Sequence, residues 1–178
     1  FRKEILGRIN EIVKSMAEEI APIMNEELVT AGSYASRSGV SKWIADEIRE
    51  HVGCDVASIN SGGVRAAAFP IKENTVITVK KVYEMYPFDN AVKVCKFTGK
   101  ELIQVLKISD AVVSSNVTLV GTTYYINGVA LEEETIYTFA CVDYLFDRES
   151  CIYNKGENTE ILQLLVRDVM IDALRELK

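Results

Sequence analysis

The chain has 178 residues, a net charge of −6 and a hydrophobic content of 48%. That length and apolar content fit one globular domain with a sizeable core rather than a disordered chain. The negative balance argues against nucleic acid or an anionic membrane as a partner, and no apolar run is long enough to span a bilayer. The sequence opens on Phe1 without a signal peptide or an initiator Met, as expected of a fragment or a mature form.

Residues 3–20 place Ile5, Ile9, Ile12, Met16 and Ile20 at helical spacing, with charged residues between them, and Pro22 is expected to end this helix. Glu27 to Gly32 reads as a short extended or irregular piece. A second helix is expected over about Gly39 to Val52, with Ser38 as N-cap, Gly53 as stop, and Val40, Trp43, Ile44, Ile48 and Val52 as its core face. The apolar run Val56 to Ile59 reads as a buried strand. Val76, Ile77 and Val79 mark another extended piece. Thr78 is expected to cap a short helix over Val79 to Met85, which Pro87 closes.

Ala91 to Phe97 reads as a strand, and Thr98 with Glu101 forms a capping box for a helix carrying Leu102, Val105, Leu106 and Val112 inward. Asn116 to Tyr125 reads as one strand. Asn127-Gly128 signals a hairpin, and Thr135 to Val142 is a strand with Tyr137 and Phe139 on one face. The last helix is expected over Thr159 to Leu177, through Ile161, Leu162, Leu165, Val169, Ile171 and Leu174. Strands and helices without strict alternation give an α+β class.

Cys54, Cys95, Cys141 and Cys151 show no zinc-ribbon spacing. Three of the four sit in apolar or strand-like runs, where a free buried thiol is commoner than a disulfide. His51, the single histidine, lies near a helix end. One histidine excludes a histidine-rich metal centre and argues against Ser-His-Asp or Cys-His chemistry. Asn116-Val117-Thr118 matches a glycosylation acceptor pattern that chance often produces.

The stretch Asn60-Ser61-Gly62-Gly63-Val64-Arg65 places an amide, two glycines and a guanidinium close together after a buried strand. Glycines let the backbone turn sharply or approach a ligand, and arginine offers a planar fork of donors. Taken alone it is equally a tight turn with a surface arginine. It is followed by Pro87-Phe88-Asp89-Asn90 and then by Thr98-Gly99-Lys100-Glu101.

These three motifs, in this order, resemble the C-terminal domain of the 5′-nucleotidase family, which includes UDP-sugar hydrolases and cyclic-nucleotide phosphodiesterases. The run Ser41-Lys42-Trp43-Ile44-Ala45-Asp46 is similar to the family's Gly-Asn-Leu-Ile-Ala-Asp, departing at Ser41 and Lys42. The resemblance implies a four-layer α/β/β/α sandwich with two mixed sheets. It divides the chain into a connecting helix, residues 1–22, and a substrate-binding domain, residues 23–178. It implies that Phe88 forms one side of a base-stacking clamp and that Tyr144 forms the other. By the same resemblance Asn60 contacts the base, Arg65 lies near ribose and phosphate on the Gly62-Gly63 loop, and Arg37 reaches the nucleotide.

One family feature is missing. The Gly-Gly-Asp-Gly loop expected after the last strand is replaced by Arg148-Glu149-Ser150-Cys151, with Asp147 and Glu149 as the candidate substitutes for the lost aspartate. The resemblance further implies catalysis by two divalent metal ions held in a separate N-terminal metallophosphoesterase domain. This chain then carries no catalytic residue and no metal ligand, and is inactive alone. The family's members are exported, surface-bound or periplasmic. Two other readings stand beside this one. The domain can be a binding module that keeps the fold without nucleotide affinity, or an enzyme using Asp46 or Asp143 with magnesium.

Overall fold

The computed structural model describes residues 2–147 and 155–178. Its elements are α1 (Arg2–Met24), β1 (Glu27–Thr30), α2 (Arg37–Val52), β2 (Val56–Asn60), a 3-10 turn (Ala66–Ala68), β3 (Val76–Thr78), α3 (Val79–Met85), β4 (Ala91–Thr98) and α4 (Gly99–Leu106). They continue with β5 (Ala111–Val113), β6 (Val117–Val120), β7 (Thr123–Ile126), β8 (Val129–Ala130), β9 (Ile136–Val142), α5 (Asp143–Phe146), β10 (Glu157–Leu165) and α6 (Val166–Glu176).

A mixed five-stranded sheet in the order β10-β4-β9-β2-β5 forms the centre. A two-stranded sheet, β1-β3, and a three-stranded sheet, β6-β7-β8, are both antiparallel. The α+β class is therefore as expected. Within the central sheet β2 and β9 are parallel, pairing Val56 with Phe139 and Ser58 with Cys141, while every other pair is antiparallel. All five residues of β2 are buried. The core gathers Val56, Ile59, Phe97, Phe139, Leu145 and Met170 with the inward faces of α2 and α6. Burying each such side chain contributes about 1.5–3 kcal/mol.

Local signals placed most elements. Thr78 accepts a hydrogen bond from the Lys81 N–H at the start of α3, and Thr98 with Glu101 forms the capping box of α4. Asn127 and Gly128 take φ of 51° and 78°, the double left-handed geometry of a tight hairpin turn between β7 and β8. Gly53 ends α2 at φ 71°.

Five expectations are corrected. α1 runs past Pro22 to Met24, since a proline in the last turn removes only one backbone bond there. α2 is capped by Ser36, whose Oγ accepts from the Gly39 N–H, and it buries Ser41, Ile44, Ala45 and Ile48, leaving Val40, Trp43 and Val52 partly buried. Val112 belongs to β5, beyond the end of α4. Residues 116–125 are two strands, β6 and β7, reversed at Gly121, whose φ is 61°. The expected final helix begins only at Val166, because residues 157–165 pair with β4 as the sheet edge β10.

Cys54 and Cys95 are buried free thiols, Cys141 is buried in β9, and Cys151 lies outside the described residues. Burial pushes the Cys54 thiol up to about 11 and the Cys95 thiol up to about 12, so both stay protonated at neutral pH. Asn116 donates to the Asp55 carbonyl and accepts from Ser114 Oγ, so its side chain braces the loop before β6. No residue of α1 is buried, and no helix among the described residues is long and apolar enough to cross a membrane.

Candidate functional site

Because β2 and β9 run parallel, the chain leaves both strands at the same edge of the sheet. β2 delivers Asn60 and the loop after it; β9 delivers α5 with Tyr144. The segment between α3 and β4 brings Phe88 and Asn90 to the same edge. A cleft of about 320 Å³ opens there, lined by Asn60, Gly62, Arg65, Phe88, Asn90 and Tyr144.

Both rings of the lining are exposed, Phe88 at 38% and Tyr144 at 51%, as are Gly62 and Arg65. Large aromatic rings left open on two separate elements, the segment after α3 and helix α5, are surface that solvent alone does not favour. The Arg65 guanidinium lies 5.1 Å from the Phe88 ring centroid, a cation–π contact, and Tyr86 meets the same ring edge-on at 6.1 Å. The Arg65 N–H donates to the Met85 carbonyl at 2.9 Å, which ties this loop to the end of α3.

Behind the rings is a fixed polar network. The buried Tyr86 hydroxyl donates to Asn90 Oδ1 at 3.1 Å, and Asn90 Nδ2 donates to Asp143 Oδ1 at 2.8 Å. Asp143 also accepts from the N–H groups of Ala91 and Tyr144. With its oxygen held by a phenol and its nitrogen by a carboxylate, the Asn90 amide has one orientation. Burial pushes the Tyr86 phenol far above its ordinary range, and the Asp143 charge adds to the rise, so Tyr86 remains a donor. Asn60 is 8% exposed, and its Oδ1 has no hydrogen-bond partner among the described residues. Asn60 lines the cleft, and an unpaired acceptor on a lining residue is an available hook for a ligand's N–H or O–H.

Five of the sequence-predicted residues, Asn60, Gly62, Arg65, Phe88 and Tyr144, line this one cleft. Two do not. Arg37 donates from Nε to the Val64 carbonyl at 2.7 Å and from Nη2 to the Ser61 carbonyl at 2.5 Å, so it clamps both ends of the glycine loop. Gly63 is buried, and a Cβ on it would sit 2.9 Å from a Tyr86 ring carbon and 3.0 Å from Asn60 Oδ1. Its lack of a side chain serves close packing with Tyr86. Neither glycine of the pair has a positive φ, so the turn itself does not require them.

Sequence reasoning left Asn90 without a role, although it stands in the Pro-Phe-x-Asn motif, and it missed Tyr86 and the bracing by Asp143. Asp143 is fully engaged as a hydrogen-bond acceptor, and Asp46 accepts from the Ser115 N–H at 2.5 Å. Neither carboxylate belongs to a group able to hold a metal ion, and no such group exists among the described residues. Asp147 is paired with Lys93, whereas Glu149 and the rest of Arg148-Glu149-Ser150-Cys151 lie outside the described residues.

Two larger cavities lie elsewhere. One of about 550 Å³ is mostly apolar, beside Tyr34, Trp43 and Leu174, and one of about 490 Å³ is lined by Glu47, His51 and Arg175 among others. Neither collects the motif residues.

Comparison with known proteins gives a consistent result. The profile described as "5'-nucleotidase, C-terminal domain" matches residues 18–121. No curated protein sequence matches the chain at a significant level. Among solved structures, a 5′-nucleotidase precursor from Thermus thermophilus superposes with a TM-score of 0.70 at 20% identity, covering 95% of this chain and 40% of that one. The NAD nucleotidase of Haemophilus influenzae gives 0.71 at 15% identity, covering 96% and 39%. A sulfate thiohydrolase from Thermus thermophilus, solved with glycerol, gives 0.69 at 12% identity, covering 96% and 36%. At these identities the likeness is one of fold, and the chain spans about two fifths of the length of these structures.

Proposed function

Because the chain belongs to the family of 5′-nucleotidase C-terminal domains, we propose that it recognises a nucleoside or nucleotide for a metal-dependent phosphoester hydrolase. The observation that carries this reading is the cleft itself. Two exposed rings, a guanidinium and two buried or fixed amides converge from elements distant in sequence.

A flat base stacks on Phe88 and Tyr144, each stacking contact contributing about 1–3 kcal/mol. Asn60 and Asn90 supply the hydrogen bonds that a polar base edge or ribose requires, and Arg65 supplies the charge for a phosphate. A volume of about 320 Å³ is at the lower end for small-molecule sites and suits a nucleoside moiety with its phosphate projecting outward. The chemistry on that phosphate falls to a metallophosphoesterase domain of the parent protein, which would hold two divalent ions that activate water. This chain's part is to bind and orient, and closure of the two domains gates turnover. The same reading places the parent protein at the cell surface, outside the cell or in the periplasm.

The test is a calorimetric titration of the purified chain with adenosine, AMP, uridine and UMP. Phe88→Ala is expected to weaken the preferred ligand about 10- to 100-fold, in line with the loss of one stacking contact. Arg65→Ala is expected to weaken AMP or UMP more than the matching nucleoside. Equal affinity in wild type and both variants contradicts the reading.

A second reading has its own observation. The same fold occurs in a sulfate thiohydrolase, whose name points to a substrate other than a nucleotide, and this sequence lacks the Gly-Gly-Asp-Gly loop. A domain that keeps the fold as an interaction module fits both facts. An upstream two-metal phosphoesterase domain in the parent gene decides for the first reading, its absence for the second.

A further inference from the structure

Arg167 is an expensive residue where it stands. It is 7% exposed, and its Nε has no hydrogen-bond partner among the described residues. It lies in the first turn of α6, where the helix dipole disfavours a cation. A methionine or leucine would fill such a site at lower cost, since burying a charge is repaid only by good pairing.

What Arg167 does touch is specific. Its guanidinium stacks 4.2 Å from the centroid of the Tyr83 ring on α3, and Nη2 donates to Asp89 Oδ1. Asp89 is an exposed carboxylate standing between Phe88 and Asn90, the two cleft residues of the irregular segment between α3 and β4. One residue earlier, the Val166 N–H donates to the Asn90 carbonyl at 3.1 Å. The first turn of α6 thus grips the segment at two successive residues, Asp89 and Asn90.

We infer that Arg167 is a positioning residue of the cleft, acting through Asp89 to hold Phe88 and Asn90 in the arrangement that faces a ligand. The planar guanidinium meets both requirements at once, offering a flat face to Tyr83 and an edge donor to Asp89, which a lysine ammonium does not. The inference rests on the nucleotide reading only where a ligand is used to read it.

The experiment combines a double-mutant cycle with amide hydrogen exchange on the full chain. The variants are Arg167→Met, Arg167→Lys, Asp89→Asn and the Asp89→Asn/Arg167→Met pair. The reporters are the N–H of Ala91, bonded to Asp143, and the N–H of Val166, bonded to Asn90, with Ala57 in β2 as the reference for global opening. Arg167→Met and Asp89→Asn are each expected to speed exchange at Ala91 and Val166 on the order of tenfold more than at Ala57, as a locally loosened segment does. Arg167→Lys is expected to restore little, and the pair is expected to behave like the worse single variant. AMP affinity is expected to fall about tenfold in the same variants.

Exchange that rises equally at all three amides, or effects of the two substitutions that simply add, overturns the inference and leaves Arg167 a stability residue. If Arg167→Met fails to fold, Asp89→Asn, an exposed substitution, still reads the same contact. Should wild type not bind AMP, the nucleotide reading fails, while the exchange data still decide whether Arg167 holds the segment.

Discussion

Gly99→Ala is expected to lower the melting temperature by about 6–12 °C, the equivalent of about 3 kcal/mol in a chain of this size. Gly99 opens α4 beneath the hairpin that leads into β9. Its N–H donates to the Thr135 carbonyl, and the N–H of Lys100 donates to the Glu133 carbonyl. A Cβ on Gly99 would fall on the backbone carbonyl of Glu132 and against the Leu131 side chain. The obstruction is backbone held by those same two hydrogen bonds, so it cannot swing aside as a side-chain tip can. The motif Thr98-Gly99-Lys100-Glu101 is therefore structural in this chain. Its threonine and glutamate cap the helix, its glycine admits the crossing backbone, and none of its residues lines the cleft. Thermal melts of the variant beside Gly7→Ala, a position with open space around it, check this. A melting temperature within about 1 °C of wild type in Gly99→Ala contradicts it.

The second large effect is expected from the glycine pair at the cleft, where neighbouring glycines should behave differently. Gly63→Ala pushes on Tyr86 and Asn60, with a cost of about 1–3 kcal/mol shared between stability and cleft geometry. Tyr86 is fully buried and hydrogen-bonded to Asn90, so its displacement turns the Asn90 amide. Ligand affinity is expected to fall at least about tenfold. Gly62→Ala places its Cβ 3.6 Å from Asn60 Nδ2, an ordinary contact, and is expected to fold like wild type. Melting and ligand titration of the two variants side by side provide the check. Equal behaviour of both would mean that the close approach at Gly63 is not what shapes the site.

How much of this was legible beforehand depended on how far apart the interacting residues are. The caps at Thr78 and Thr98 and the Asn127-Gly128 turn are decided by residues three or fewer positions away, and the structure has them as read. The cleft residues Asn60, Gly62, Arg65 and Phe88 were reached through motif order, which stands in for spatial information that single residues lack.

One misread element and two contacts that the sequence did not announce share one cause. The pattern of Ile161, Leu162, Leu164 and Leu165 suits a helix face as well as a partly buried strand, and only pairing with β4 selects the strand. Arg37 carries the right chemistry for a ligand, but the carbonyls that claim it lie 24 and 27 residues along the chain. Arg167 meets Asp89 across 78 residues, and no local pattern announces that pair. In each case the residue type was informative about chemistry and silent about the partner.

The most direct measurement is residue-resolved mapping of AMP binding to the isotopically labelled chain by NMR. The account predicts that shifts concentrate on the backbone and side-chain amides of Asn60 to Arg65 and Phe88 to Ala91, and on Tyr144. It also predicts that Glu47, His51 and Trp43, beside the two larger cavities, stay still. Shifts centred on either of those cavities, or a spectrum unchanged by AMP, would contradict the claim that these loops form a nucleotide-recognition cleft.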